Sequence, residues 1–158
     1  MNMLNYQVVR KTDYEPAVEF ALYTRQLLFP KIYYGHIPRD LKNFEQFYVH
    51  DRLGCFITVK DQNRIIGTIA YRAYDHRFDL NLPSKTVEVV KLFVLPEYRR
   101  NGIATMLCKM LFSYAQKNEI TTLYLHTHPF CRRLKSFGIY KVLRLFNGNG
   151  SIPMTPFT

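Results

Sequence analysis

Cysteine is scarce in this chain. Cys55, Cys108 and Cys131 are far apart, odd in number and never in a CxxC pair. That argues against a disulfide framework or a cysteine-built zinc site, and three free thiols suit a reducing compartment. Long apolar runs are missing too. The opening MNMLNYQVVRKTDY has no apolar h-region, and no run approaches the roughly 20 residues of a membrane-spanning helix. A soluble cytoplasmic protein without a membrane partner is expected. No internal repeat, low-complexity tract or linker divides the chain, and its 158 residues suit one buried core better than two. One domain over residues 1–158 is therefore expected.

Acidic residues also run short: 12 Asp and Glu stand against 22 Lys and Arg, a net charge of +10. A field of that sign favours anionic ligands such as nucleotide cofactors, nucleic acid or acidic partners. The basic residues form no long block, only RR pairs at 99–100 and 132–133. Local anion sites thus fit better than a nucleic-acid tail. What is plentiful is core material: 47% of the chain is hydrophobic, with 12 Tyr and 12 Phe, which argues against disorder.

Tyr6 to Arg10 reads as a first strand, and Asp13 as the cap of a helix through Leu28. FPKIYYGHIP (29–38) is a loop, after which Asp40 is expected to cap a short helix ending near Asp51. CFITVK (55–60) and RIIGTIAYRAY (64–74), joined by a polar turn, read as a hairpin, and TVEVVKLFV (86–94) as the next strand. From Ile103 the period becomes helical. Ile103, Met106, Leu107, Met110, Leu111 and Tyr114 form one apolar stripe, with Asn118 as the stop. TTLYLHT (121–127) reads as a strand, PFCRRLKSF (129–137) as a short helix, YKVLRLF (140–146) as a strand and SIPMTPFT as a last edge strand. The order implies one α/β domain around a mixed sheet.

The most informative stretch is VLPEYRRNGIATML (94–107), where an apolar strand ends and a helix begins. A helix N-terminus carries unpaired N–H groups and the positive end of the dipole. Gly102 lets the main chain come close, Ala104 keeps the first turn thin, and Arg99 and Arg100 add charged donors. The residues alone leave two readings open: a phosphate cradle, or a solvated turn with a helix cap.

Arg99-Arg100-Asn101-Gly102-Ile103-Ala104, behind LFVLPEY, resembles the Q/R-x-x-G-x-G/A acyl-CoA signature of the GNAT (GCN5-related N-acetyltransferase) superfamily. The element order agrees from about Tyr6 to Tyr140. The resemblance implies a single-domain GNAT-like α/β fold: a mixed, mostly antiparallel central sheet flanked by helices, with strands 86–94 and 121–127 splayed apart. It implies an N-acyltransferase that moves acetyl from acetyl-CoA, a co-substrate, to a primary amine by direct attack. Main-chain groups of Phe93, Val94 and Leu95 would hold the pantetheine arm. The amides of Arg99, Arg100, Asn101, Gly102, Ile103, Ala104 and Thr105 would wrap the pyrophosphate.

Glu88, conspicuous among Val87, Val89 and Val90, is the candidate base; its spacing to Arg99 resembles that of the catalytic glutamate in the histone-acetyltransferase branch. The other reading of Glu88 is a solvated strand face paired with Lys91 or Lys60. The family's acid tyrosine is missing from its slot, where Leu134 stands, and Gly138-Ile139 replaces Gly-Phe. That departure motivates an alternative: a GNAT-fold module that binds CoA or another anionic partner without turnover. His126 and His128 lack further ligands at metal spacing, so no metal is expected. The acceptor would be a small-molecule or peptide amine lying near Tyr33 and Tyr34, nucleic acid is not expected as a partner, and a homodimer is compatible with the sequence.

Overall fold

The computed structural model describes residues 3–31, 35–76, 81–126 and 140–144. Among them six strands form one sheet in chain order: β1 (Asn5–Val8), β2 (Cys55–Asp61), β3 (Arg64–Ala73), β4 (Thr86–Val94), β5 (Thr122–His126) and β6 (Tyr140–Arg144). Every neighbouring pair is antiparallel except β4 and β5, which run parallel. That one parallel pair needs a crossover, supplied by helix α3 (Ile103–Lys117). The short helix and last strand expected at 129–137 and 151–158 lie outside the described residues.

Two layers of side chains cover the sheet, and strand alternation assigns each residue to one of them. Ile57, Val59, Tyr71, Val87 and Val89 pack with Leu107, Leu111 and Ala115 of α3. Phe56 and Ala70 pack with Ala17, Ala21, Leu41, Phe44 and Tyr48 on the opposite face. There α1 (Glu15–Leu28), α2 (Arg39–Lys42) and a π-helical turn (Glu45–His50) cover the sheet. Phe44 centres that second layer, its ring 4.9 Å from Phe56, 5.0 Å from Tyr48 and stacked at 5.4 Å on Tyr14. Gly54 is obligatory where β2 begins, because a Cβ would collide with the carbonyl of Phe47 in the π-helical turn.

Three local expectations are corrected. Asp13 does not cap α1: Tyr14 is the N-cap, and the Asp13 carboxylate instead accepts the Arg10 N–H at 2.9 Å, closing the preceding turn. Asp40 does not cap α2 either. Pro38 holds that position, α2 stops at Lys42, and the Asp40 carboxylate turns inward to a set of charged partners. The α3 stripe is also narrower than its apolar spacing implied. Ile103, Leu107, Leu111 and Ala115, four residues apart, are buried, whereas Met106 is 49% exposed. Met106 lies on the first turn, on a side of the helix away from buried Ile103.

Candidate acyl-transfer site

β4 positions the site through two irregularities. Its pairing with β5 runs only from Thr86–Thr122 to Val89–Leu125, while its pairing with β3 continues to Val94. Beyond Val89 the β5 side of β4 therefore has no strand partner among the described residues. Thr68 opposes Phe93 but Ala70 opposes Val90, so one extra residue of β4 bulges at Lys91 and Leu92. Lys91 sits at a φ of 59°, a left-handed conformation that a non-glycine residue keeps only when its surroundings enforce it. The Thr68 hydroxyl helps, donating to the Lys91 carbonyl at 2.7 Å. Leu92 is left 40% exposed at the bulge.

At the end of β4, Leu95 donates its N–H to the Ile66 carbonyl at 2.8 Å. Alternation in an antiparallel ladder then turns the N–H and C=O of Val94 away from β3. Arg99 reaches back, its Nε 2.9 Å from the Val94 carbonyl and its guanidinium 5.4 Å from the centre of the Phe93 ring. Leu95 has less to offer a ligand than Val94, because its carbonyl also takes the Tyr98 N–H at 2.9 Å.

A 3-10 turn (Pro96–Tyr98) follows. Tyr98 anchors it to the β2–β3 hairpin by donating to Asp61 at 2.8 Å, and Arg64 pairs with Glu97 at 3.3 Å. Arg100 and Gly102 have positive φ of 64° and 73°, so the chain folds back on itself around Asn101. The Asn101 side chain serves the loop, donating to the carbonyls of Tyr98 and Arg99. The first helical bond into α3 is Met106 N–H to the Gly102 carbonyl. Among the described residues, no acceptor takes the N–H groups of residues 100–105. They border a depression of about 220 Å³ walled by Val94, Tyr98, Arg99, Arg100, Gly102 and Thr105. A Cβ on Gly102 would enter open space, so the depression is not packed shut.

Glu88 lies further back on β4, and the solvated-face reading of it is wrong: it is 3% exposed. It faces the α1–α2 side, opposite Arg72 in the β3–β4 register, with Arg72 Nη2 3.4 Å from its carboxylate. Neither Lys91 nor Lys60 is its partner; Lys91 Nζ sits 2.9 Å from Asp40 Oδ2. Arg72 Nη1 reaches the same Asp40 oxygen at 3.5 Å, and the Tyr48 hydroxyl donates to it at 2.5 Å. Burial pushes the Asp40 carboxyl up, but Lys91, the Tyr48 hydroxyl and Arg72 outweigh it and hold the group below its ordinary value. Tyr48 is driven well above its ordinary range by burial and then by the Asp40 charge.

Sequence reasoning missed Asp40 and Arg72 as members of this cluster. Arg72 opposite Glu88 is legible only from the register of β3 on β4, but an aspartate beside apolar Leu41, two residues after a proline, was a usable sign. Tyr33, Tyr34, His128, Cys131 and Leu134 lie outside the described residues. Cys55 is buried, its thiol pushed up to about 12 by that burial, and Cys108 is raised by the same cause. No group of three or more His, Cys, Asp or Glu able to hold a metal occurs among the described residues, and none of their helices is long and apolar enough to cross a membrane.

This arrangement has relatives. The sequence profile of the Acetyltransferase (GNAT) family matches residues 21–140. The chain belongs to the GNAT acetyltransferase family. Among curated proteins it is 26% identical over 102 residues to human N-acetyltransferase 8, which covers 65% of this chain. The match spans only 43% of that relative's length. Solved GNAT structures share the fold at lower identity. A GNAT-family acetyltransferase of Staphylococcus aureus Mu50 superposes with a TM-score of 0.66 at 23% identity, covering 85% of this chain and 80% of its own. A predicted acetyltransferase from Clostridium acetobutylicum, solved with acetyl-CoA, gives 0.63 at 21% identity over 97% and 96% of the two chains. AAC(6')-Iy, solved with the bisubstrate analogue CoA-S-monomethyl-acetylneamine, gives 0.63 at 17% identity over 94% and 99%.

Proposed function

We propose that this protein, one GNAT domain, transfers an acetyl group from acetyl-CoA to a primary amine by direct attack. The observation that carries the reading is the open loop at 99–105, which follows the end of β4 and in which the N–H groups of residues 100–105 have no acceptor among the described residues. The residues fit the co-substrate. The amides of residues 100–105, with the positive end of the α3 dipole, would hold the pyrophosphate, and Val94 would hold the pantetheine arm as an added strand does. The co-substrate supplies an activated thioester carbonyl. The bulge at Lys91 and Leu92 takes main-chain groups out of the ladder beside it, where an N–H can stabilise the developing oxyanion.

The amine attacks the thioester carbon with its lone pair and the C–N bond forms. Glu88 takes the amine proton, through water because its carboxylate sits behind Arg72. The C–S bond then breaks, its electron pair leaving with sulfur, and the thiolate takes up the proton that Glu88 accepted, relayed by water, to free CoA. For the two described cysteines, direct attack is favoured over an acyl-cysteine route: Cys55 is buried in the core, and burial raises the pKa of both Cys55 and Cys108. A cytoplasmic setting belongs to the same proposal.

A second reading, binding of CoA or another anion without turnover, draws on the ion pair that already engages Glu88. Glu88→Gln separates the two. The variant keeps the shape of the side chain, so it should retain stabilisation by acetyl-CoA while kcat for CoA release falls about a hundredfold. CoA release by the native protein over a broad amine panel is the measurement. Stabilisation by acetyl-CoA with no release from any amine would leave only the binding module, and an undiminished kcat in Glu88→Gln would remove Glu88 as the base.

A further inference from the structure

On the α1–α2 side of the bulge lies a pocket of about 380 Å³, large enough for a small acceptor. Four cations line it, Arg25, Arg39, Arg72 and Lys91, against two carboxylates, Asp40 and Asp75. Arg72 is held between Glu88 and Asp40, and Lys91 pairs with Asp40. Asp75 is already engaged in an interaction of its own. The inner charges are therefore matched, and among the described residues the two outer arginines have no ion-pair partner. Arg25 Nη1 is fully buried and has no hydrogen-bond acceptor. Arg39 is exposed at the rim, 6.0 Å from the centre of the Phe47 ring, and takes part in no ion pair among the described residues. Nη1 has no exposed surface of its own, so a ligand oxyanion reaches it only with a small turn of the Arg25 side chain, which then gives a costly unpaired N–H its acceptor.

We infer that the acceptor is an amine that also bears a carboxylate, seated by Arg25 with help from Arg39 while its amine points toward the bulge and Glu88. This rests on the acyltransferase reading and narrows its substrate class. A guanidinium fork matches a carboxylate with two parallel bonds, which a neutral or cationic acceptor cannot offer. The acceptor would thereby be fixed at one end and free to attack at the other, the positioning that makes transfer effectively intramolecular.

The test uses α-, β- and γ-amino acids, each beside its own carboxamide. CoA release is followed with acetyl-CoA, and the melting temperature is followed with CoA present. At least one acid should show a KM about tenfold or more below that of its amide, and should raise the melting temperature where the amide does not. Arg25→Gln and Arg39→Gln should each erode that preference, chiefly through KM. Equal KM values and equal melting shifts for acids and amides overturn the inference, as does an Arg25→Gln variant that keeps the full preference. The melting shift decides the matter even if no amine in the panel turns over. Acetylation of the amides alone sinks the carboxylate and leaves the acyltransferase standing; loss of stabilisation by acetyl-CoA sinks the acyltransferase itself.

Discussion

Arg99→Glu combined with Gly102→Glu should abolish stabilisation by acetyl-CoA. At a co-substrate concentration 100 times its Kd the native protein should gain about 2.7 kcal/mol, and the double variant essentially none. Both changes act on the loop by different routes. Gly102 has a φ of 73°, where a side chain is strained, and its Cβ would project into the open depression. A carboxylate there would meet the diphosphate head-on. Arg99 now bridges from the loop to the Val94 carbonyl with its ring-stacked guanidinium, so its reversal both unties the loop and inverts its charge. Neither position is in the core. The melting temperature without ligand should therefore fall by only a few degrees, which separates lost binding from lost folding.

The second large effect is on stability. Asp40→Asn should cost about 2–3 kcal/mol, just below the roughly 3–5 kcal/mol of a broken fully buried pair, because the cations it serves are not fully buried. Asp40 is 2% exposed, whereas the Lys91 and Arg72 side chains keep 22% and 25%. The amide cannot neutralise either of them. It also replaces a charged acceptor of the Tyr48 hydroxyl with a weaker one. Adding Lys91→Met should recover part of the loss, and a double-mutant cycle read by urea unfolding measures the coupling. The sign with pH follows from the depressed carboxyl. Its stabilisation is complete above the unfolded value near 3.8 and is lost as pH falls through the lower folded value. The native protein should thus lose stability more steeply below pH 3.8 than Asp40→Asn does.

Much of the fold was legible because periodicity reports on one-sided burial. β4 and α3 fall where alternating and helical spacing put them, at Thr86–Val94 and Ile103–Lys117. The proposed phosphate loop was legible only through its resemblance to the family signature, because Gly102 and two arginines between a strand and a helix suit a solvated turn equally well. The misreadings are of residues whose role is set by tertiary partners. Asp13 and Asp40 have good capping chemistry, but an Arg10 amide in one case and half-buried cations in the other compete for their oxygens. The bulge at Lys91 could not be read, because nothing in KLF distinguishes an extra residue from a regular one. Glu88 was singled out correctly as unusual, yet its partner depends on the strand across from it, which no local pattern reveals.

The account stands or falls on the loop at the head of α3. Nitrogen-edited proton NMR of the labelled protein, titrated with CoA, observes its amides one by one. The account predicts large shifts at the amides of residues 100–105 and of Val94, with small ones at Asp13 and the β1–β2 edge. Saturating CoA that leaves residues 100–105 unmoved, or moves only distant surface amides, would contradict it.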